Sequence, residues 1–207
     1  MTEAEVRALF TRADGSYLFA RWGRPLAPVV FGAADESLPV IKGAFEAAAE
    51  LAAIGTSQTD PELGANLMVF FVRDWNELRG VPNLGRLIPD LGPLLDRLEE
   101  AEANQYRVFR FDRAGAVRAA FVLLRMDEHL SAIPAGTLAL SQAVQTILLW
   151  SDTAFGERSP LLAAPGGAIL RPEIGDIVRV AYDPVMPSHA TDPAHALRLA
   201  ARLGRAS

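Results

Sequence analysis

Apolar positions along the chain change period several times, and each change marks an element. Val6 to Thr11 and Tyr17 to Trp22 are β-rich runs on either side of Ala13-Asp14-Gly15-Ser16, whose Asp and Gly tolerate the backbone angles of a tight reversal. Pro28 to Phe31 adds a short strand, so the N-terminal region predicts a strand pair or meander. From about Glu36 to Ala53 the period lengthens: Leu38, Ile41, Phe45, Ala48, Ala49 and Ala52 share one helical face. Pro39 fits the first turn, where its missing amide hydrogen breaks no internal bond, and Gly55 supplies a stop.

Leu67 to Val72 is apolar at every position, the pattern of a strand covered on both faces. Asp74 or Asn76 then caps a short helix, and a further helix runs from Leu91 or Pro93 to Ala103. Gln105 to Asp112 and Ala116 to Met126 carry the strongest hairpin signal, with Arg113-Ala114-Gly115 as the reversal. Arg107 and Arg110 suggest that part of this hairpin meets water. A helix dominated by apolar residues is predicted from Leu138 to Trp150, with Thr137 as its N-cap. Pro165-Gly166-Gly167 reads as a surface loop, and two last helices are predicted over Pro172 to Tyr182 and Pro193 to Leu203. These elements together predict an α+β fold in which a mixed or largely antiparallel sheet packs against helices.

Length fits that picture: 207 residues, half of them hydrophobic, match one domain spanning residues 1 to 207, able to bury roughly 70% of its extended-chain surface. The formal charge is −5, and the basic residues, nearly all arginine with Lys42 the single lysine, are scattered among 25 acids. No basic stripe of the kind that binds nucleic acid appears. The apolar runs are too short to cross a bilayer as helices, and no apolar segment of signal-peptide length follows Met1 to Arg7; cytoplasmic residence is the expectation. Cysteine is absent, which excludes disulfides, thiolate metal sites and a cysteine nucleophile.

Three stretches resemble a bacterial family with a zincin-like, metallopeptidase-type fold. They are Gly64 to Val72, the helix containing Ser141-Gln142-Ala143-Val144-Gln145, and Ile174 to Pro184, where Tyr182-Asp183-Pro184 is the most distinctive. A zincin binds Zn²⁺ through two histidines one helical turn apart and activates water with the glutamate beside the first. The resemblance sets Ser141, Gln142 and Gln145 at those three positions. Neither serine nor a carboxamide supplies the imidazoles, and a carboxamide accepts no proton near neutral pH. The resemblance thus implies a degenerate site without metal or cofactor, while the residues alone also fit polar positions on the wet side of an amphipathic helix.

Other constellations are weaker. His129 lies near Asp127 and Ser131, and His189 and His195 near Asp183 and Asp192, but sequence proximity does not build a triad or a metal site. No nucleophile elbow or phosphate loop occurs. Glu99, Glu100 and Glu102 read as a charged outer face, and Trp22, Trp75 and Trp150 as core or its edge. Ser151-Asp152, following Trp150 and ahead of Phe155, either pins the chain as it leaves the core or edges a cleft. The candidate set is therefore Ser141, Gln142, Gln145, Trp150 and Asp152. The expected function is a non-catalytic binding or accessory protein for a protein or peptide. A hydrolase with an unfamiliar catalytic arrangement and a structural homodimer stand as alternatives, the last motivated by the apolar strand Leu67 to Val72 and by the exposed edge that an open sheet must manage.

Overall fold

The computed structural model describes residues 1–206. Its centre is a four-stranded sheet of β2 (Pro28–Phe31), β3 (Leu67–Val72), β4 (Gln105–Phe111) and β5 (Val117–Arg125), in the order β2-β3-β5-β4. β2 and β5 run parallel to β3, whereas β4 returns antiparallel to β5 across the expected hairpin. The fold is α+β with a mixed sheet packed against helices, as the sequence predicts. Because β3 is paired on both sides, the free edges belong to β2 and β4 and not to the apolar strand that motivates a dimer.

Alternation along β3 separates two cores. Leu67 and Val69 face a large core made with α2 (Leu38–Leu51), α6 (Ala135–Ile147), α7 (Pro172–Ala181) and α8 (Ala194–Ala206). Phe70 and Val72 face a smaller core under the 3-10 segment Trp75–Gly80, α3 (Leu84–Leu87) and α4 (Leu91–Glu100). An entirely apolar strand is what a two-sided burial requires. Asp74 starts the 3-10 segment by accepting from Asn76 N, while Glu77 returns to the amide of Asp74. Trp22, Trp75 and Trp150 are all core residues. Glu99, Glu100 and Glu102 are exposed, as expected of an outer face.

Several boundaries depart from expectation. The first predicted strand is instead helix α1 (Glu3–Ala8), because Thr2 and Glu5 form a reciprocal capping box that satisfies its first amides. The reversal at residues 13–16 holds, but its flanks shrink to one bridge, Thr11 to Tyr17, and the two-residue β1 (Phe19–Ala20), which pairs with β8 (His189–Ala190). Pro165-Gly166 is the exposed turn of a hairpin whose strands, β6 (Leu161–Ala164) and β7 (Gly167–Leu170), the sequence pattern does not predict. A one-turn helix, α5 (Glu128–Ser131), precedes α6. No helix among the described residues is long and apolar enough to cross a membrane.

Helix α6 sits three residues earlier than predicted. Pro134 occupies its N-cap position without a side-chain hydrogen bond, so Thr137 is not the cap. At the other end Leu148 turns extended, bridges Arg21, and hands on to Leu149, whose amide donates to Ala20 O at 2.9 Å. The apolar run continues past the helix because the emerging chain stays buried beside the N-terminal segment.

Candidate binding cleft

A helix end buried in a core leaves its last four carbonyls short of donors. α6 meets this with aromatic side chains, one from the segment just after it and two from distant parts of the chain. Trp150 Nε1 donates to Val144 O at 2.8 Å, Trp22 Nε1 to Thr146 O at 2.8 Å, and Tyr182 Oη to Ile147 O at 2.6 Å. Tyr182 Oη also accepts from Trp22 N at 3.1 Å, and burial pushes the ionisation of this phenol well above its ordinary value. Tyr182, the first residue of the Tyr182-Asp183-Pro184 block, thus acts on α6 itself. With Trp150 stacked on Phe10 (centroids 5.4 Å apart), these contacts fix the segment that follows the helix.

The opposite wall is β4. Ala120 N donates to Asn66 O on the β3 side, whereas Arg125 N donates to Asn104 O on the β4 side. Backbone polar groups of alternate residues point to alternate sides of a strand. Phe121 and Leu123 therefore bond to their β4 partners Val108 and Tyr106. Gln105, Arg107 and Phe109 lie between these pairs and direct their own N–H and C=O groups out of the sheet, along its free edge. That edge opens onto a cleft of about 620 Å³ whose far side includes Leu149, Trp150 and Phe155.

Side chains of Gln105 and Arg107 point to the α6 face of the sheet and meet Gln142. Arg107 Nη2 donates to Gln142 Oε1 at 2.6 Å and to Gln105 Oε1 at 3.1 Å; Gln142 Nε2 donates to the same Gln105 oxygen at 3.1 Å. This closed triangle partitions the larger cleft from a second one of about 440 Å³, bordered by Ser141, Gln142, His129 and Leu138. No ion pair joins Arg107 to a carboxylate among the described residues. Its Nε is enclosed without a partner, and burial lowers the guanidinium from its ordinary value to about 10. It remains a cation at neutral pH.

The five residues predicted from sequence divide between these clefts. Ser141 and Gln142 border the smaller; Gln145, Trp150 and Asp152 border the larger. Gln142 is not on a wet face: it is 2% exposed, with both ends of its carboxamide engaged. Gln145 is half-buried and donates to Ser141 Oγ at 2.9 Å, one turn back. Asp152 is exposed, accepts from Ala13 N at 3.1 Å, and ties the 13–16 reversal to the cleft rim. Ser151 is buried, bonded to Thr153, so both the pinning and the rim readings of the 151–152 junction describe it.

The remaining candidates are dispersed. Asp127 caps α5 by accepting from Leu130 N and also binds Asn104, while His129 is exposed at the smaller cleft. His189 packs over Gly115 in β8. His195 is 4% exposed and bonds Tyr17 Oη through Nδ1 at 2.8 Å, with Phe19 beside its ring. Burial lowers its protonation, helped by Arg198, to about 4. Among the described residues no three His, Cys, Asp or Glu side chains gather as metal ligands.

Sequence reasoning missed Gln105 and Arg107. Arginine in a strand reads as solvent-facing, yet Arg107 turns inward against α6 and Arg110 turns to the opposite face, where Nε and Nη2 donate to Leu87 O. The available signal was the spacing of Gln105, Arg107 and Phe109, which share a strand face with the core-facing Phe109. Comparison with protein-family models, characterised proteins and solved structures gives no match.

Proposed function

We propose that the chain is a non-catalytic binding protein that takes an extended peptide along β4, in the cleft bounded by Trp150 and Phe155. One observation carries this reading: the outward backbone groups of Gln105, Arg107 and Phe109 open onto an aromatic-walled cleft of about 620 Å³. Such an edge supplies main-chain hydrogen bonds to an added strand, and flanking pockets select its side chains. The carboxamides of Gln105, Gln142 and Gln145 are engaged, in the Gln105–Arg107–Gln142 triangle and the Ser141–Gln145 pair. This supports a binding role over proton transfer. The arrangement also suits a degenerate zincin-like site, in which the helix and edge strand persist where an ancestor would have placed substrate.

Selection of a displayed heptapeptide library on the purified protein tests the reading. Recovered peptides are expected to bind with micromolar affinity and to weaken several-fold with Phe111→Ser, an exposed cleft-lining position whose change spares the core. Failure to enrich any peptide overturns the proposal. So does turnover of a peptidase, esterase or amidase panel that one polar substitution at the cleft abolishes with the fold intact.

A further inference from the structure

We infer that the peptide carries a carboxylate and that Arg107 receives it, an assignment that rests on the peptide reading of the same cleft. A buried charge is costly unless paired. Arg107 is held by two carboxamide oxygens, which are dipoles without net charge, and both bonds use Nη2. Nη1 has no hydrogen-bond partner among the described residues and, unlike Nε, is not enclosed. Arg107 lines the cleft, and its guanidinium has one donor group free and no carboxylate partner among the described residues. Gln105 and Gln142 fix its plane, and a planar guanidinium fixed in place suits a carboxylate.

The ligand's position follows from β4. Arg107 contributes both this side chain and one of the three outward amide and carbonyl pairs, so a peptide paired along the edge passes directly by the guanidinium. Arg12 adds a second cation at the cleft, whereas Asp152 adds an anion. Two cations against one carboxylate favour a singly charged group over a doubly charged phosphate. A C-terminal carboxylate and an Asp or Glu side chain offer the same chemistry.

Nuclear magnetic resonance titration of the ¹⁵N-labelled full chain separates the sources with four synthetic pools of random heptapeptides. One has acidic residues and blocked ends, one a free C-terminus without acidic residues, one is blocked and neutral, and one is blocked with phosphoserine. At least one carboxylate pool is expected to shift Arg107 Hε and the β4 amides at a concentration about 10- to 100-fold below that of the neutral pool, the range for a charge-assisted hydrogen bond. Arg107→Gln should erase that difference, and Arg107→Lys should restore part of it; Arg12→Gln should keep most of it. Equal binding of neutral and carboxylate pools overturns the carboxylate assignment while the peptide reading stands. Tighter binding of the phosphoserine pool, or loss of the difference in Arg12→Gln but not in Arg107→Gln, also overturns it. If no pool moves the β4 resonances, both readings fall. The wild-type comparison is decisive even if an Arg107 variant does not fold.

Discussion

Replacing Tyr182 with phenylalanine removes one oxygen and almost no volume, so its cost isolates the clamp on the end of α6. Two buried backbone groups lose their partner: Ile147 O, which accepts from the hydroxyl at 2.6 Å, and Trp22 N, which donates to it at 3.1 Å. Leaving a buried polar group unsatisfied costs roughly 1–3 kcal/mol. Tyr182→Phe should therefore lose about 2–6 kcal/mol, and for a domain of this size each kcal/mol lowers Tm by roughly 2–4 °C. Urea unfolding followed by tryptophan fluorescence measures it, with an unchanged slope showing that the unfolded state is unaltered. Tyr106→Phe is the control, because Tyr106 is 39% exposed and its hydroxyl bonds no described residue. A Tyr182→Phe loss below about 0.5 kcal/mol, the scatter of ordinary surface substitutions, would refute the clamp.

Three further outcomes follow from particular contacts. His195 is buried with a folded-state value near 4 against an ordinary 6.5, so the folded chain binds fewer protons than the unfolded one; stability should decline as pH falls from about 6.5 towards 4. Urea midpoints across that range should fall in wild type and flatten in His195→Gln; an equal slope in both would assign the effect elsewhere. Gly32 and Gly15 both have positive φ, but a Cβ on Gly32 would strike the carbonyl oxygen of Phe71 while one on Gly15 meets nothing within 4 Å. Gly15→Ala should cost on the order of 1 kcal/mol and Gly32→Ala clearly more by thermal melting; equal losses would contradict the β2–β3 geometry. Metal analysis of protein purified without an affinity tag should find far less than one equivalent of zinc, since Gln142 is engaged at both ends and Gln145 at Ser141; stoichiometric zinc on α6 would contradict these bonds.

Strand β3 and the β4–β5 hairpin are legible in sequence because their patterns are local: six consecutive apolar residues in one, two β-rich runs around a tight turn in the other. The end of α6 is not. Leu148, Leu149 and Trp150 are as apolar as the helix before them, and an apolar run does not distinguish buried helix from buried extended chain. What stops the helix is Ala20, Trp22 and Tyr182, far away in sequence. The cleft was half legible. Trp150 and Asp152 signal a rim by their place after an apolar run, but Gln142 gains its meaning from Arg107, 35 residues earlier. α1 was hidden for a different reason: Val6 to Thr11 has β-rich composition, and the Thr2–Glu5 capping box overrides it.

Residue-resolved amide hydrogen exchange tests most directly whether β4 is a peptide-binding edge. In the free protein Tyr106 and Val108, bonded to β5, should exchange slowly, while Gln105, Arg107 and Phe109 should exchange fast. A peptide recovered by selection should slow those three and leave Tyr106 and Val108 nearly unchanged. Binding that leaves Gln105, Arg107 and Phe109 as fast as before would contradict strand addition at this edge.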